Sequence, residues 1–372
     1  MDRIFNYFKS VELLYTRKCN LKCAHCISDC SIEQDSKLDC NKVLKFLQKL
    51  PKKKIAQIGI TGGEPLLYFD EIIKVISTAK KIGTKPKLIS NGSWGSTKQK
   101  AEQVVSKLSS AGLSGLSISN DEFHLKFVPI NYIFNIFEAS RKYKLDLTLR
   151  ISLSKNYSVM DFVANNKDYL AKLKSNEKPF NVFSQPLVPI GRASEYVSEE
   201  NFSASKNFCK GRCRFLVDPA INHDGKLFVC CNSTTPSNDT FELGDLNSDS
   251  PEKLIDAYHK SLLVFYLRRK GPYFLVNLAE KHKLKKVRKT EKKLEGKYVG
   301  VCDYCSLNLG QYSGKDLREL LEEEFSRDKN LQEFAREEAV LTRKFVGNKK
   351  NDKKIEKKVN RLVKKFLGKN AV

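Results

Sequence analysis

The chain has 372 residues and a mass of 42.5 kDa, which leaves room for two domains and an appendage. Hydrophobic residues make up 41% of the sequence, so a sizeable core can form and wholesale disorder is excluded. No apolar run approaches the roughly 18–20 residues that span a membrane, and residues 1–5 lack the profile of a signal peptide. We therefore expect a cytoplasmic protein.

Charge and cysteine content point to partners and metals. The excess of 67 Lys+Arg over 43 Asp+Glu leaves a net charge of +24, which suits an acidic partner or a simply solvated lysine-rich surface. Eleven cysteines in an intracellular chain are more typical of metal sites than of disulfides. They form two groups, and so indicate two sites: Cys19, Cys23, Cys26, Cys30 and Cys40, then Cys209, Cys213, Cys230, Cys231, Cys302 and Cys305.

Short β-rich runs alternate with helical stretches between residues 11 and 187. The predicted strands are Val11–Thr16, Gln57–Ile60, Pro86–Ser90, Leu116–Asn120, Leu145–Ile151 and Asn181–Leu187. The predicted helices are Asn41–Leu50, Glu71–Lys81, Lys98–Ser109, Ile130–Tyr143 and Met160–Leu173. Repeated strand–helix units predict a parallel α/β sheet with right-handed crossovers, and six units favour an open, partial (β/α)6 barrel.

Polar residues follow these strands at the edge where parallel sheets place ligand chemistry. The Cys19–Cys26 loop follows the first strand, and Gly62-Gly63-Glu64 follows the second. Ser90 and Asn91 end the third strand, Ser119 and Asp121 lie at the end of the fourth, and Arg150 lies near the end of the fifth.

The remainder of the chain divides into a linker, a smaller module and a tail. Residues 188–208 read as a linker, and in residues 209–310 the runs Phe215–Val217 and Lys226–Val229 flank an Asp-Gly turn that predicts a hairpin. Ten Lys+Arg in Lys349–Lys369, with an apolar face, predict a basic amphipathic helix. That face comprises Ile355, Val359, Leu362, Val363, Phe366 and Leu367.

The first cysteine group has the spacing C-x3-C-x2-C at Cys19, Cys23 and Cys26. Structural zinc usually takes four ligands from paired C-x2-C units, so three thiols on one short loop are too few. Three thiolates can hold three irons of a [4Fe–4S] cluster and leave the fourth iron open to a small molecule. Cys30 could close the site as a fourth ligand, and a zinc site or an incidental cluster of cysteines is the other alternative.

With Gly62-Gly63-Glu64-Pro65 as a second motif, residues 11–190 resemble the radical S-adenosylmethionine (SAM) enzymes. The resemblance implies that SAM chelates the open iron and is cleaved to a 5′-deoxyadenosyl radical. It places Gly62 and Gly63 against the methionine moiety, where only a side-chain-free backbone fits, with their carbonyls or Glu64 receiving the ammonium. His25 takes the position near adenine, and Ser90 and Asn91 are candidates for the ribose. Ser119 and Asp121 are further SAM-binding candidates, and Arg150 would pair with the carboxylate of SAM.

The second cysteine group resembles the twitch form of the SPASM extension. Cys213, a glycine at position 225, Cys230 and a distant Cys302-x2-Cys305 follow that pattern, which implies one auxiliary [4Fe–4S] cluster. Cys209 also fits the spacing, so the first ligand stays open, and zinc is the alternative metal. The resemblance implies a radical SAM partial barrel at 1–190 and a small α+β twitch/SPASM-like Fe–S domain at 191–314. The charge pattern predicts a basic helical extension at 315–372.

Cys231, directly after Cys230, is left over by the four-ligand assignment. It is either a small buried residue beside a cluster or a thiol that donates a hydrogen atom to a carbon radical. Abstraction of a Cα hydrogen from one face and return from the other converts an L-residue to a D-residue. Five segments resemble radical SAM peptide epimerases of the epipeptide type: Leu88–Gly95, Ile118–His124, Val229–Asn232, Leu263–Gly271 and Cys302-x2-Cys305. In those enzymes the residue matching Cys231 is the hydrogen donor.

This resemblance implies an isomerase that matures a ribosomally synthesised precursor peptide, with reduced flavodoxin or ferredoxin as the electron donor. Two features depart from that family: the Lys-rich stretch near Lys281–Lys297 and the C-terminal extension. The identity of the substrate is therefore the property that the resemblance predicts least well. The alternatives are thioether or C–C cross-linking, with the auxiliary cluster as electron acceptor, and RNA modification. The basic tail has few aromatic residues for base stacking, so a nucleic-acid partner is disfavoured.

Overall fold

The computed structural model describes residues 5–50, 55–167, 181–206, 213, 218–231, 239–289, 294, 296–345, 358, 361, 362, 365 and 366. The strands are Ser10–Leu14 (β1), Gln57–Thr61 (β2), Lys85–Ser90 (β3), Gly115–Ser119 (β4), Asp146–Leu153 (β5), Asn181–Pro186 (β6), Ala220–Ile221 (β7), Lys226–Phe228 (β8) and Glu242–Asp245 (β9). The first helices are Cys40–Lys49 (α1), Phe69–Lys81 (α2), Lys98–Ser110 (α3), Ile130–Lys142 (α4) and Val159–Asn165 (α5). The later helices are Ala193–Tyr196 (α6), Pro251–Lys260 (α7), Leu262–Arg269 (α8), Gly271–Lys281 (α9), Val301–Asn308 (α10), Gly314–Arg327 (α11) and Lys329–Phe345 (α12).

The described strands form one sheet in the order β6-β5-β4-β3-β2-β1-β7-β8-β9. Strands β1 to β6 are parallel neighbours joined by helical crossovers, as expected for a partial (β/α)6 barrel. The predicted α/β class and barrel are therefore confirmed. Each of the six predicted strands is present, with ends within two residues of the prediction.

The core forms because the strands and the helices α1 to α4 present apolar faces to each other. Val11 and Leu13 of β1 are fully buried, and so is Val43 of α1. Helix α1 begins after Asp39, whose side chain accepts a hydrogen bond from the N–H of Lys42 and caps the helix. Such packing leaves the strand ends and the barrel lumen to polar residues.

The sheet continues past the parallel strands into a predicted hairpin. Strand β7 is parallel to β1, and β8 and β9 follow antiparallel. The turn between β7 and β8 is Asn222–Gly225, where Gly225 has a φ of +84° that suits glycine. The hairpin is confirmed with its first strand at Ala220–Ile221, whereas the run Phe215–Val217 lies outside the described residues, as does residue 209.

Helices α11 and α12 pack on the module rather than extend away from it. The ring of Phe265 in α8 contacts Phe325 of α11 edge-on, with centroids 5.9 Å apart, and Phe334 of α12 at 6.3 Å. Of the predicted basic helix, Leu362 and Phe366 are described and pack against the same core, with Phe366 6.4 Å from Phe334. The apolar face of the tail therefore covers the protein at these two positions.

Within the described part of the chain, each helix is too short or too polar to cross a membrane.

Candidate functional site

The first cysteine group lies on the loop that follows β1. Cys19 and Cys23 are buried, with 8% and 7% of their surface exposed, and Cys26 is half-buried. The loop turns tightly, because the N–H of Cys26 donates to the carbonyl of Cys23 at 3.2 Å. Burial raises the pKa of Cys19 to about 11, and the N–H of Leu21, which donates to its sulfur at 3.4 Å, partly offsets that effect. The fold thus places three thiols together at the C-terminal edge of the sheet.

Cys30 lies against this loop as a hydrogen-bond donor. Its thiol lies by the carbonyl of Ser28 at 3.8 Å, and its interaction with the sulfur of Cys26 lowers the pKa of Cys26 to about 5 and raises the pKa of Cys30. The N–H of Cys30 also donates to that sulfur, at 3.4 Å. Cys26 is therefore the thiol of this group that ionises most readily, and Cys30 supports it.

Arg192 fastens the cysteine loop from the far side of the sequence. Its guanidinium donates to the carbonyls of Cys23 at 3.1 Å and Cys30 at 2.7 Å, and its own N–H donates to the carbonyl of Cys26 at 2.9 Å. It also pairs with Asp29 at 2.7 Å. Sequence reasoning missed Arg192, because it placed this residue in a linker and nothing local links it to the cysteines.

The Gly62-Gly63 pair lies against the stretch that leads into the cysteine loop. A Cβ at Gly62 would be 2.5 Å from the carbonyl oxygen of Thr16, and one at Gly63 would overlap the carbonyl of Lys18. The N–H of Gly63 donates to Thr16 at 2.6 Å, and the N–H of Glu64 donates to Lys18 at 2.9 Å. The glycines thus allow a close backbone approach within the protein, while their contact with methionine stays a prediction.

Glu64 is the centre of a buried hydrogen-bond network. Its carboxylate accepts from the hydroxyl of Ser90 at 3.0 Å and from the N–H groups of Asn91 at 2.8 Å and Leu66 at 3.1 Å. Burial raises the pKa of Glu64 to about 7 despite these donors. Since both carboxylate oxygens accept from the protein, Glu64 here positions the ends of β2 and β3.

Asn91 connects this network to the cysteines. Its side-chain amide donates to Asn20 at 2.9 Å and lies 3.8 Å from the sulfur of Cys19. The hydroxyl of Ser90 accepts from the indole of Trp94 at 2.8 Å. The structure thus brings both predicted ribose candidates next to the cysteine loop, with their polar groups already hydrogen-bonded.

Asp121 holds an aromatic cluster beside Cys23. Its carboxylate, 1% exposed, accepts from the N–H of Ser152 at 3.2 Å and contacts the rings of His124 at 2.8 Å and His25 at 3.4 Å. Burial alone would raise the pKa of Asp121, but the charge and hydrogen bond of His124 and the contact with His25 outweigh it. The net pKa therefore lies well below its usual range.

His25 lies among other aromatic rings, and its position near adenine stays a prediction. Its ring stacks on Phe123 with centroids 4.5 Å apart and meets His124 edge-on at 4.9 Å. One ligand atom from each of Cys23, His25 and His124 lies within 4.8 Å of the others, so this trio could also hold a metal ion. Ser119 is half-buried on the neighbouring strand, paired in register with Arg150.

Arg150 extends into the barrel lumen. Its guanidinium lies 4.4 Å from the ring of Phe183 on β6. Burial lowers the pKa of Arg150, and the charges of Glu12 and Cys231 oppose that effect. Glu12 belongs to β1 and lies over the backbone of Gly59, where a Cβ would collide with its carboxylate. Glu12 and Cys231 are therefore the acidic neighbours of Arg150 in the lumen.

The second cysteine group surrounds an apolar pocket. Cys213, Cys230, Cys302 and Cys305 line it together with Phe241 and Leu267, and its empty space, including that open to solvent, is about 410 Å³. Cys302 and Cys305 lie in the first turns of α10, which Asp303 caps by accepting from the N–H groups of Val299 and Gly300, each at 2.8 Å. The four thiols predicted as auxiliary ligands thus face one cavity.

These thiols influence one another electrostatically. Burial raises the pKa of Cys302 to about 12, and the sulfurs of Cys213 and Cys230 add to the shift. Burial and the same two sulfurs, with Cys302, raise the pKa of Cys305 well above its usual value. Four thiols in an apolar cavity are stable as thiolates only with a positive centre among them, so the donor set fits a metal cluster. Three clustered thiols fit in the same way at Cys19, Cys23 and Cys26.

Cys231 lies near both the barrel and the four-thiol pocket. The residue has exposed surface, and burial of its thiol, followed by the charges of Cys230, Glu12 and Cys302, raises its pKa. Of these neighbours, Glu12 belongs to β1 of the barrel, whereas Cys230 and Cys302 line the four-thiol pocket. Cys231 therefore lies between the barrel lumen and that pocket.

The sheet register places Cys231 at the end of the lumen opposite the first cysteine group. Ala220 of β7 pairs with Glu12 of β1 and with Phe228 of β8. Because β8 is antiparallel to β1, the chain after Phe228 runs toward the N-terminal end of β1. The cysteine loop at 19–26 follows the C-terminal end of β1. The first cysteine group and Cys231 therefore lie at opposite ends of one lumen.

The chain is similar in sequence to known proteins. Residues 13–175 match the radical SAM superfamily, so the chain contains a radical SAM domain, and that domain implies SAM and a [4Fe–4S] cluster.

Two relatives extend the likeness beyond the domain. Over 309 residues, 80% of this chain and 91% of the relative, the chain is 27% identical to a protein assigned to peptide biosynthesis, YydG of Bacillus subtilis (strain 168). It is 28% identical over 221 residues to the GTP 3′,8-cyclase of Lactiplantibacillus plantarum, covering 54% of this chain and 61% of the cyclase. A solved structure, native anSMEcpe with bound AdoMet and Cp18Cys peptide, gives a TM-score of 0.49 at 15% identity over 88% of this chain and 99% of that one.

Proposed function

We propose that this chain is a radical SAM enzyme that epimerises selected residues of a ribosomally synthesised precursor peptide. The class of substrate is supported by the peptide-biosynthesis relative, of which the chain covers 91%. Epimerisation is supported by one observation above all, the position of Cys231 at the end of the lumen opposite the cysteine loop at 19–26. The enzyme would then belong to the isomerases.

The proposed roles follow from the two donor sets. Cys19, Cys23 and Cys26 would hold the first [4Fe–4S] cluster, and Cys213, Cys230, Cys302 and Cys305 an auxiliary one. When bound and reduced, the first cluster with SAM supplies a 5′-deoxyadenosyl radical that abstracts a hydrogen atom from carbon. His25, Gly62, Gly63, Glu64, Ser90, Asn91, Ser119, Asp121 and Arg150 are proposed to position SAM, directly or through the networks described above.

The second half of the reaction belongs to Cys231. The peptide Cα loses its hydrogen on the side facing the cysteine loop, and the thiol lies on the other side. Breaking the S–H bond and forming a new Cα–H bond there inverts the residue. Cys231 is left as a thiyl radical, and one electron from reduced flavodoxin or ferredoxin, the proposed reductant, together with one proton from solvent restores the thiol.

Substitution of Cys231 tests this role. In Cys231→Ala and the closer-shaped Cys231→Ser, we expect SAM cleavage to continue while inverted product falls by about tenfold or more, because neither side chain has a weak S–H bond. Peptide hydrolysis followed by chiral chromatography measures D-residues, and 5′-deoxyadenosine measures SAM cleavage. Undiminished inversion in either variant would remove Cys231 from the mechanism.

Cross-linking is the second candidate, favoured by the four-thiol pocket that adjoins Cys231 and would suit an electron acceptor. Reaction in deuterated water separates the two functions by mass. Epimerisation incorporates one solvent deuteron at Cα with no other change, because a thiol exchanges its hydrogen with solvent. Cross-linking removes two hydrogens from the peptide. A product two mass units lighter would replace the first proposal with the second.

A further inference from the structure

The two edges of the sheet are built differently. At one edge, β9 is charged: Lys226 on the neighbouring strand pairs with Glu242 at 3.2 Å and Asp245 at 3.1 Å. The ladder there is interrupted by a bulge between Leu227 and Phe228. Charges and bulges are the devices by which proteins prevent an edge strand from pairing with another chain.

At the opposite edge, β6 lacks these devices. Asn181–Pro186 pairs with β5 in unbroken register over all six residues, and none of them is charged. Every residue of β6 is exposed. Among the described residues, no strand pairs with its outer side. The only protective residue in it is Pro186, at its end.

Backbone direction shows which groups are available at this edge. The N–H of Leu187 donates to the carbonyl of Leu153 on β5 at 2.9 Å. Because backbone groups alternate in direction along a strand, the odd-numbered residues of this stretch bond to β5. The N–H and C=O groups of Val182 and Ser184 therefore point to the open side, where they can pair with an added strand.

The open edge is continuous with the lumen. Phe183 pairs in register with Arg150 and lies 4.4 Å from its guanidinium, on the lumen face of the sheet. The ring of Phe183 is 40% exposed, and Val182 on the other face is 48% exposed. A strand added beside β6 would contact apolar side chains on both faces and lead directly to the chamber that holds Arg150 and Cys231.

We propose that β6 is the docking strand for the precursor peptide, which adds to the sheet as an extended chain beside Asn181–Pro186. This proposal rests on the proposed peptide substrate and specifies how that peptide binds. Main-chain hydrogen bonds to Val182 and Ser184 give affinity that depends little on sequence, and Phe183 guides the following residues into the lumen. The absence of charge on β6 leaves no repulsion against either an acidic or a basic peptide.

Proline substitution at the outward-facing positions tests the docking. Ser184→Pro removes an N–H that points away from β5, so it should leave the sheet intact while its ring blocks an added strand. The probe is a fluorescein-labelled synthetic precursor peptide, titrated into the anaerobic full-length holoenzyme and followed by anisotropy. We expect Kd to rise about tenfold or more for Ser184→Pro and Val182→Pro, and to stay within about twofold for Ser184→Thr, which keeps the N–H.

Three further measurements separate the outcomes. Iron content and SAM cleavage without peptide should match the parent in all variants, and peptide should slow hydrogen exchange at the amides of residues 182 and 184. If Ser184→Pro binds the peptide as tightly as the parent, β6 docking is wrong, while inversion of that peptide would leave the proposed function standing. If the parent neither binds nor modifies the peptide, both proposals fail. If light scattering shows a dimer that Ser184→Pro dissociates without loss of peptide binding, the edge belongs to a second copy and docking is again wrong.

Discussion

Asp121 shows how a single buried carboxylate organises the chemistry at the strand ends. It accepts backbone hydrogen bonds from Phe123, His124 and Ser152 and contacts the ring of His25. The neutral amide of asparagine keeps the shape but loses the charge, and its NH2 group would face some of these donors. Asp121 therefore fixes the ring of His25, which is proposed to lie near adenine, and its carboxylate is occupied by these contacts within the protein.

For Asp121→Asn we expect the free energy of unfolding to fall by about 1–3 kcal/mol at pH 7. The pKa of Asp121 is depressed in the folded state, so its stabilisation is present above the unfolded value of 3.8 and is lost as pH falls toward the folded value. The difference from the parent should thus shrink as pH drops below about 4. Urea unfolding of parent and variant at pH 7 and at a pH below about 4 measures this difference in the free energy of unfolding.

Asp35→Asn is the matched control, because Asp35 makes an exposed ion pair with Lys18 and is 82% exposed. We expect it to change stability by no more than about 0.5 kcal/mol at pH 7. An equal effect of the two substitutions would contradict the organising role of Asp121.

At the scale of elements, the Gly62-Gly63 pair supports the cysteine loop at 19–26, because its backbone packs closely against the stretch that leads into that loop. Gly63 has an ordinary backbone conformation, so its importance lies in the space that a Cβ would take from the carbonyl of Lys18. Gly63→Ala should displace the stretch leading to Cys19, lower the free energy of unfolding by about 2 kcal/mol or more, and reduce iron bound by the first cysteine group. Thermal unfolding and iron analysis measure the two effects.

Gly300→Ala serves as the comparison. Its φ of −172° is extended backbone, and nothing lies within 4 Å of the added Cβ. Stability should change by no more than about 0.5 kcal/mol there. If Gly63→Ala is equally mild and retains its iron, the two motifs do not depend on each other as the structure indicates.

The elements themselves were predictable because their signals are local. Alternating apolar runs fixed all six parallel strands to within two residues, and the Asp-Gly turn at 224–225 located the hairpin. Long-range partners were not predictable in this way. Arg192 reaches the cysteine loop across 169 residues of sequence to Cys23, and Glu12 meets Cys231 only because β1 and β7 pair.

The identity of the site residues was easier to predict than their roles. Cysteine spacing identified both thiol groups, and the structure brings each group together, apart from residue 209, which lies outside the described residues. The roles of Glu64 and Ser90 depend on which atoms they face. Sequence gives no orientation, and in the structure these two side chains bond to each other at 3.0 Å. Whether they also contact SAM is a prediction that binding studies on the holoenzyme can test.

At the scale of the whole molecule, one continuous sheet joins the two cysteine groups. Strand β1 carries the first group on its C-terminal loop and pairs with β7, from which the hairpin leads to Cys230 and Cys231. Helices α11 and α12 support the second group from behind, since Phe325 and Phe334 pack on Phe265 of α8. The boundaries at residues 190 and 314 remain predictions, and the sheet itself runs across the first of them.

Metal content tests this two-site arrangement directly. The anaerobically reconstituted parent should contain about eight iron and eight sulfide per chain, and Cys302→Ala/Cys305→Ala about four of each, because that pair would contribute half of the auxiliary ligands. The double variant should still cleave SAM, since Cys19, Cys23 and Cys26 are untouched. Cys40→Ser is the control: Cys40 lies by the carbonyl of Glu71, 3.9 Å away and outside both thiol sites, so iron should be unchanged. About four iron with one zinc in the parent would instead make the second site a zinc centre, and would remove the auxiliary cluster while leaving the radical SAM domain intact.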